Sequence, residues 1–185
     1  MPTIIGSLRK YFSPYLSLLT KPSGNKLFML LLSLYTLQFA TSINHLHRRF
    51  LSKISGVSLN AYYYLLSETK VPLGKFSQIT VRLALSLIPD ELKNLPIFLI
   101  VDDTLQAKFG THFECYRTLF DHAKHNGTNY LKGHCFVALT VGVPVITQGE
   151  VRYLNIPLGY RLRNDESKLK IASAMIESVM DGLIS

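Results

Sequence analysis

The segment Leu95-Pro-Ile-Phe-Leu-Ile-Val-Asp102-Asp103-Thr104-Leu-Gln-Ala-Lys108 decides the fold of this chain. Five consecutive apolar residues, 97–101, follow Pro96 and lead directly into two carboxylates. A short continuous apolar run bounded by proline is typical of a strand buried on both faces. Because successive side chains of a strand point to opposite faces, Asp102 and Asp103 are predicted to lie on different faces. One of them can then hold a metal ion or a proton, while the other faces solvent, a cap or a basic partner. The simpler alternative is a strand that ends in a turn capped by aspartate.

A second segment, Lys132-Gly-His-Cys-Phe-Val-Ala-Leu-Thr-Val-Gly-Val-Pro-Val145, has the composition of another strand, predicted over residues 134–140. In order along the chain, these two segments resemble insertion-sequence transposases of the DDE type. Ile-Val-Asp-Asp-Thr-Leu-Gln-Ala-Lys resembles the first-aspartate motif of that family, and the Gly-His opening of the second segment resembles the family's second strand. The resemblance extends roughly over residues 27–185 and implies a ribonuclease-H-like fold.

The resemblance assigns Asp103, directly before Thr104, as the first catalytic aspartate and a metal ligand. Asp102, Thr104 and His134 are its neighbours, with roles that stay open. Enzymes of this family cleave and join DNA strands with two divalent ions, Mg²⁺ or Mn²⁺, which need several rigid oxygen ligands. The family's second Asp and its Glu have no counterpart in this sequence, because the candidates Glu150, Asp165, Glu166 and Asp181 do not match the expected places. We therefore expect a chain cut short of its acidic residues and inactive alone.

Composition points to an anionic partner. Lys and Arg number 20 against 12 Asp and Glu, which gives a formal net charge of +8 and a pI of about 9.5. Such a balance suits nucleic acid or an anionic membrane surface, and the family resemblance implies double-stranded DNA as the partner. Cys115 and Cys135 form no CxxC motif, so a reducing, cytoplasmic location is expected.

Two short helices in the N-terminal region are candidates for binding DNA. Ser42 and Ser58 are predicted to cap helices over residues 43–54 and 59–70, with Ser55-Gly56 as the break between them. The pair can be a helix-turn-helix or an ordinary helical hairpin with a solvated charged face. The residues expected to contact DNA are Arg48, Arg49, Lys53 and Asn60, together with Lys108 after the key strand.

The most apolar segment, residues 27–40, is about fourteen residues long and so falls short of the roughly twenty that cross a bilayer. It is predicted as a buried helix capped by Ser23 or Asn25; a small membrane-associated protein is the alternative. The remaining predicted elements are a helix over 77–87 capped by Ser77, a turn at Gly142-Val-Pro144, a third strand over 145–154, and a final helix over 166–183 capped by Asn164 or Asp165.

The polar stretch 109–133 is rich in histidine and shows no clear period. His112, His122 and His125, with His134 and the two cysteines, could ligate zinc, but their spacing is irregular where structural zinc prefers paired short spacings. His134 is therefore expected to form a hydrogen bond near the start of the second strand, and Cys135 to point into the core.

These patterns together predict an α+β fold. Residues 1–95 would form a helical DNA-binding region, and the family resemblance implies that residues 96–185 form the first half of a ribonuclease-H-like mixed sheet, with three strands and a helix. An uncovered apolar sheet edge would favour self-association. The predicted function is a DDE transposase that binds the ends of its element, with no membrane partner; the alternative is a non-catalytic DNA-binding remnant of one.

Overall fold

The computed structural model of the protein describes residues 3–37, 39, 42–108, 114–121 and 130–184. Helices and one antiparallel sheet make up an α+β architecture, as predicted. The chain forms two compact units, Met1–Pro72 and Leu73–Ser185. The sequence pattern predicts the boundary after Leu95 instead. The difference arises from helix α6 (Leu73–Leu85), which packs against the sheet of the second unit.

The N-terminal unit is entirely helical in its described residues. Its helices are α1 (Ile4–Leu16), α2 (Lys21–Thr36), α3 (Ile43–Leu46), α4 (Ser52–Ile54) and α5 (Leu59–Ser67), with a π-helical turn, His47–Leu51, joining α3 to α4. Helix α1 has no predicted counterpart, because its apolar spacing is broken. The Thr3 side chain caps it by accepting a hydrogen bond from the Gly6 N–H.

In the N-terminal unit, the predicted caps were right for two helices and wrong for one. Ser42 accepts from the His45 N–H and Ser58 from the Ala61 N–H, which confirms both as N-caps. Ser23 and Asn25 lie inside α2, which begins at Lys21 with Pro22 in its first turn. Proline suits the first turn of a helix because its missing N–H would have no partner there.

The core of this unit is formed by Leu30, Leu46, Leu51 and Tyr62, which lie on α2, the 43–51 stretch and α5. All four are nearly or completely buried. Each apolar side chain buried in this way contributes about 1.5–3 kcal/mol. Helix α2 therefore packs against the helical pair predicted over 43–54 and 59–70 and stabilises it.

The sheet of the second unit consists of β1 (Phe98–Ala107), β2 (Arg117–Phe120), β3 (Tyr130–Thr147) and β4 (Glu150–Leu162). Long strand β3 is central. Strand β1 pairs with residues 133–142 along one edge of β3, and β4 pairs with residues 136–147 along the other. Gly133 pairs with both Ala107 and Arg117, so β2 lies on the β4 side, beyond the end of β4.

The predicted turn at Gly142-Val-Pro144 is wrong, because β3 continues through it to Thr147. The chain turns at Gln148 and Gly149, whose φ angles of 54° and 81° are both left-handed. Two such residues form the tight turn that matches the twist of an antiparallel hairpin. The strand predicted over 145–154 therefore lies at 150–162.

The key strand was also predicted too short and too deeply buried. Strand β1 runs past Val101 through both aspartates to Ala107, and in the described part of the chain it pairs with β3 alone. Phe98, Ile100 and Val101 remain 40–47% exposed, as befits an edge strand. The strand buried on both faces is β3, which has neighbours on both edges.

Helices α6 and α7 (Lys168–Ile184) pack on the sheet through alternate β3 residues, among them Val137, Leu139 and Val141. Ser77, predicted as a cap, lies inside α6, where its Oγ donates to the Leu158 carbonyl at 2.8 Å. Helix α7 was predicted to begin at Glu166, but Ser167 caps it by accepting from the Lys170 N–H. Asn164 instead accepts from the Glu166 N–H in the preceding turn.

Candidate DNA-binding surface and the Asp103 site

Asp103 lies in the middle of β1, opposite Val137 of β3. Val137 belongs to the core beneath α6 and α7, so the Asp103 side chain is on the helix-covered face. Its Oδ2 lies 2.7 Å from the Lys168 Nζ at the start of α7 and accepts a weaker contact from the Cys135 Sγ at 3.8 Å. The two ion-paired side chains are 35% and 39% exposed.

Asp102 faces the other way, as strand geometry predicts. It is exposed, pairs with Ala138 of β3, and its Oδ1 accepts a hydrogen bond from the Asp103 N–H at 2.8 Å. Thr104, two residues further on, shares that outer face and is also exposed. The two neighbours named with Asp103 in the sequence are therefore on the opposite side of the sheet from it.

Cys135 is buried, as expected for a residue pointing into the sheet core. Burial raises the pKa of its thiol; the Lys168 ammonium lowers it in part, and the Asp103 carboxylate raises it again. A thiol with a raised pKa is a weak nucleophile, since the thiolate is the reactive form. Cys135 therefore acts as a small core residue.

His134 is buried, and its Nε2 donates a hydrogen bond to the Glu114 carbonyl at 2.9 Å. This is the bond near the strand opening that the sequence predicts. His134 pairs with Gln106, three positions along β1 from Asp103, and so is not brought to the carboxylate. His112, His122 and His125 lie outside the described residues.

Three of the four acidic candidates form ion pairs of their own, and the side chain of the fourth, Asp181, lies outside the part of the chain that the structure describes. Glu150 pairs with Arg152, Asp165 with Arg117 and Glu166 with Lys170. Across the described ranges, three or more His, Cys, Asp or Glu side chains do not gather anywhere as a metal-binding group. Divalent magnesium needs several oxygen ligands, whereas Asp103 is a single carboxylate already paired with an ammonium. The described residues therefore do not fit the two-metal site that the family resemblance implies.

Positive charge is concentrated in one of the two units. Residues 1–72 contain eight Lys and Arg residues and one acidic residue, Glu68, for a net charge of +7. Residues 73–185 contain twelve basic and eleven acidic residues, for a net charge of +1. The excess that composition shows for the whole chain is thus almost entirely a property of the helical unit.

The predicted DNA contacts in this unit are all on its surface. Arg48 and Arg49 lie in the π-helical turn, Lys53 in α4, and Asn60 in the first turn of α5; all four are exposed. No carboxylate of the described residues pairs with the three cations. The turn is π-helical, so its backbone hydrogen bonds run from residue i to i+5 instead of i+4. Turns of this kind often occur at functional sites.

Lys108 belongs to the second unit. It follows β1 directly, is half-buried, and its backbone N–H donates to the Lys132 carbonyl at 3.0 Å. The sequence pattern places Lys108 in the DNA-binding set and leaves out five basic residues of the helical unit, among them Arg9 and Lys26. These two lie in the region that the pattern leaves irregular, and only the packing of α1 on α2 brings Arg9 beside Asn25.

Comparisons of the sequence with protein-family models, with curated proteins and with solved structures found no match. A helix long and apolar enough to cross a membrane does not occur in the described part of the chain. The fold and the charge distribution therefore define an α+β protein with a strongly basic helical unit and a near-neutral sheet unit.

Proposed function

We propose that this chain binds double-stranded DNA through its N-terminal helical unit, as the end-binding part of a DDE transposase. The observation that carries the proposal is the charge of +7 held by residues 1–72, with Arg48, Arg49 and Lys53 exposed and without carboxylate partners in the described residues. A basic patch clustered on one helical element is the usual electrostatic signature of a nucleic-acid-binding protein.

The three cations would contact phosphates rather than bases. Lysine and arginine that neutralise phosphates release condensed counterions, and this term supplies affinity without sequence preference. Asn60 lies on the second helix of the pair, in its first turn, where residues of a recognition helix contact base edges in the major groove. An asparagine side chain pairs with adenine through two hydrogen bonds.

The transposase part of the proposal rests on the resemblance and on the sheet. Three antiparallel strands, β1, β3 and β4, followed by helix α7, agree with the first half of a ribonuclease-H-like core. Asp103, directly before Thr104, would correspond to the first catalytic aspartate. Strand cleavage is not assigned to the described residues, because Lys168 occupies the Asp103 carboxylate and none of them places a second carboxylate beside it. This ion pair favours the non-catalytic, DNA-binding alternative for the chain.

The test measures binding to labelled duplex DNA by fluorescence anisotropy, with salt varied from about 50 to 200 mM. Each phosphate contact contributes about 0.9 to the slope of log affinity against log salt, so replacing Arg48 and Arg49 by Ala should lower the slope by about 1.8. The matched control replaces Lys75 and Arg82, two exposed cations of α6, and should leave the slope unchanged. Equal losses in the two double variants, or no loss in either, would refute the assignment to the helical pair.

A further inference from the structure

A cleft of about 450 Å³ opens in the N-terminal unit between α2 and α5. Binding sites for small molecules commonly measure about 300–1,000 Å³ and combine apolar walls with a few polar groups. We call it the α2–α5 cleft; its walls come from α1, α2, the 55–57 turn and α5.

One wall of the α2–α5 cleft is cationic. Arg9 and Lys26 both line it, and among the described residues no carboxylate does. Arg9 donates to the Asn25 side-chain oxygen, and its guanidinium lies 5.1 Å from the centre of the Phe28 ring. These two contacts fix the guanidinium in place, while a guanidinium carries five N–H donors in all. The Arg9 guanidinium is therefore positioned to donate further hydrogen bonds to a ligand in the cleft.

The rest of the cleft wall is apolar, with one polar point. Met29, Val57 and Ala61 form the apolar part. The polar point is the hydrogen bond of 3.1 Å between the Ser55 and Tyr62 hydroxyls, and the Ser55 Oγ also donates to the Leu51 carbonyl. Because these hydroxyls already have partners, the wall offers chiefly a hydrophobic surface to a ligand.

We propose that the α2–α5 cleft binds an organic phosphate of nucleotide size. Its phosphoryl group would bind Arg9 and Lys26, since a guanidinium forms paired hydrogen bonds with phosphate oxygens and an ammonium adds a point charge. The flat, less polar part of the ligand would lie against Met29, Val57 and Ala61. The same chemistry describes a free nucleotide and a terminal nucleotide of a DNA strand.

A neighbouring cleft extends the cationic wall. It measures about 290 Å³, shares Arg9 and Asn25 with the α2–α5 cleft, and adds Lys21. Arg9 thus stands between two concave basic surfaces, an arrangement that suits a ligand with more than one phosphate. None of these residues belongs to the Arg48, Arg49 and Lys53 surface, so the proposal does not depend on duplex binding there.

Isothermal titration of the full chain with thymidine 5′-monophosphate, thymidine and inorganic phosphate tests the proposal. The nucleotide should bind more tightly than either of its parts. Replacing Lys26 by Ala should weaken nucleotide binding roughly tenfold, as expected for loss of one charge-assisted hydrogen bond. The matched control is Lys10→Ala, which removes the same charge from an exposed position of α1 outside the cleft and should change nothing.

A second variant, Ala61→Met, fills the apolar wall without altering charge and should also weaken binding; circular dichroism checks that both variants fold. A parallel titration with a short 5′-phosphorylated single strand separates the two sources: tighter binding by the strand, lost in Lys26→Ala, assigns the cleft to DNA ends. Equal losses in Lys10→Ala and Lys26→Ala, or no binding of any probe, would overturn the proposal. The double variant Arg48→Ala with Arg49→Ala should bind the nucleotide normally. A failure of duplex binding would therefore not count against the nucleotide site.

Discussion

The ion pair between Asp103 and Lys168 should contribute about 0.5–1 kcal/mol to the stability of the sheet unit. At the observed separation of 2.7 Å, Coulomb's law in bulk water gives about 1.5 kcal/mol for two unit charges. Both side chains are more than a third exposed, so solvent screening and the entropy of fixing two side chains reduce this value. The pair joins the start of α7 to the middle of β1, and its loss should loosen that contact.

A double-mutant cycle measures the coupling directly. Asp103→Asn, Lys168→Met and the combined variant are unfolded in urea, which leaves ionic strength free to vary, and followed by circular dichroism. We expect the coupling at low salt and its near disappearance at about 1 M NaCl, where the screening length is about 3 Å. The Glu150–Arg152 pair, at 2.8 Å but with side chains 69% and 58% exposed, is the matched control and should couple more weakly.

One result would refute this account of Asp103. If the coupling is zero at both salt concentrations, and Mg²⁺ raises the melting temperature of the natural chain but not of Asp103→Asn, then Asp103 is a metal ligand and Lys168 is not its partner. That outcome would restore the catalytic role that the family resemblance implies.

Further predictions concern the sheet, the thiols, self-association and catalysis. A Cβ at Gly133 would lie 2.0 Å from the Gln106 carbonyl oxygen, so Gly133→Ala should destabilise the chain by at least about 3 kcal/mol in urea unfolding. The control Gly74→Ala, which has open space around it in α6, should be neutral or stabilising. Equal effects of the two substitutions would contradict the close approach at Gly133. In thiol labelling of the native chain, half-buried Cys115 should react long before buried Cys135. Burial raises the pKa of Cys135, so its reactive thiolate forms only at higher pH. Equal labelling rates of the two thiols in the native chain would contradict this prediction. Light scattering should detect self-association through the edge of β1, and substituting Lys for the exposed Ile100 should reduce it. A strictly monomeric natural chain would contradict association through this edge. Incubation with supercoiled plasmid and Mg²⁺ or Mn²⁺ should yield no nicking, and metal-dependent nicking that disappears in Asp103→Asn would show that the acidic set is complete.

Local chemistry made part of this structure predictable. Ser42 and Ser58 act on N–H groups three residues away, so their caps and the helices behind them follow from short-range sequence. The alternation of Asp102 and Asp103 across β1 follows from strand geometry alone. The charge of the helical unit is also present in the sequence, but it becomes visible only when the boundary at Pro72 is known.

The errors came from features that depend on distant partners. Lys168, the partner of Asp103, is 65 residues away, so the sequence pattern offers no reason to pair them. The apolar run of β1 resembles a buried strand, yet β1 is exposed because, among the described residues, it has a single neighbouring strand. Gly142 and Pro144 resemble a turn, but both lie within β3, where Pro144 pairs with Tyr153 of β4. The real turn at Gln148 and Gly149 lacks the Asn-Gly or Asp-Gly pair typical of such hairpins.

The connections of the sheet set an order for its formation. A two-residue turn joins β3 to β4, whereas residues 108–129 separate β1 from β3. Closing a loop about ten times longer costs roughly 2 kcal/mol more in chain entropy, so the β3–β4 hairpin should form first and β1 should dock onto it later. By the same balance β1 should detach before β4 in the native state, with its amide hydrogens exchanging ahead of those that join β3 to β4. Asp103 thus lies on a strand that should detach more readily than β4, and any partner that completes the edge of β1 would also decide how long that carboxylate stays in place.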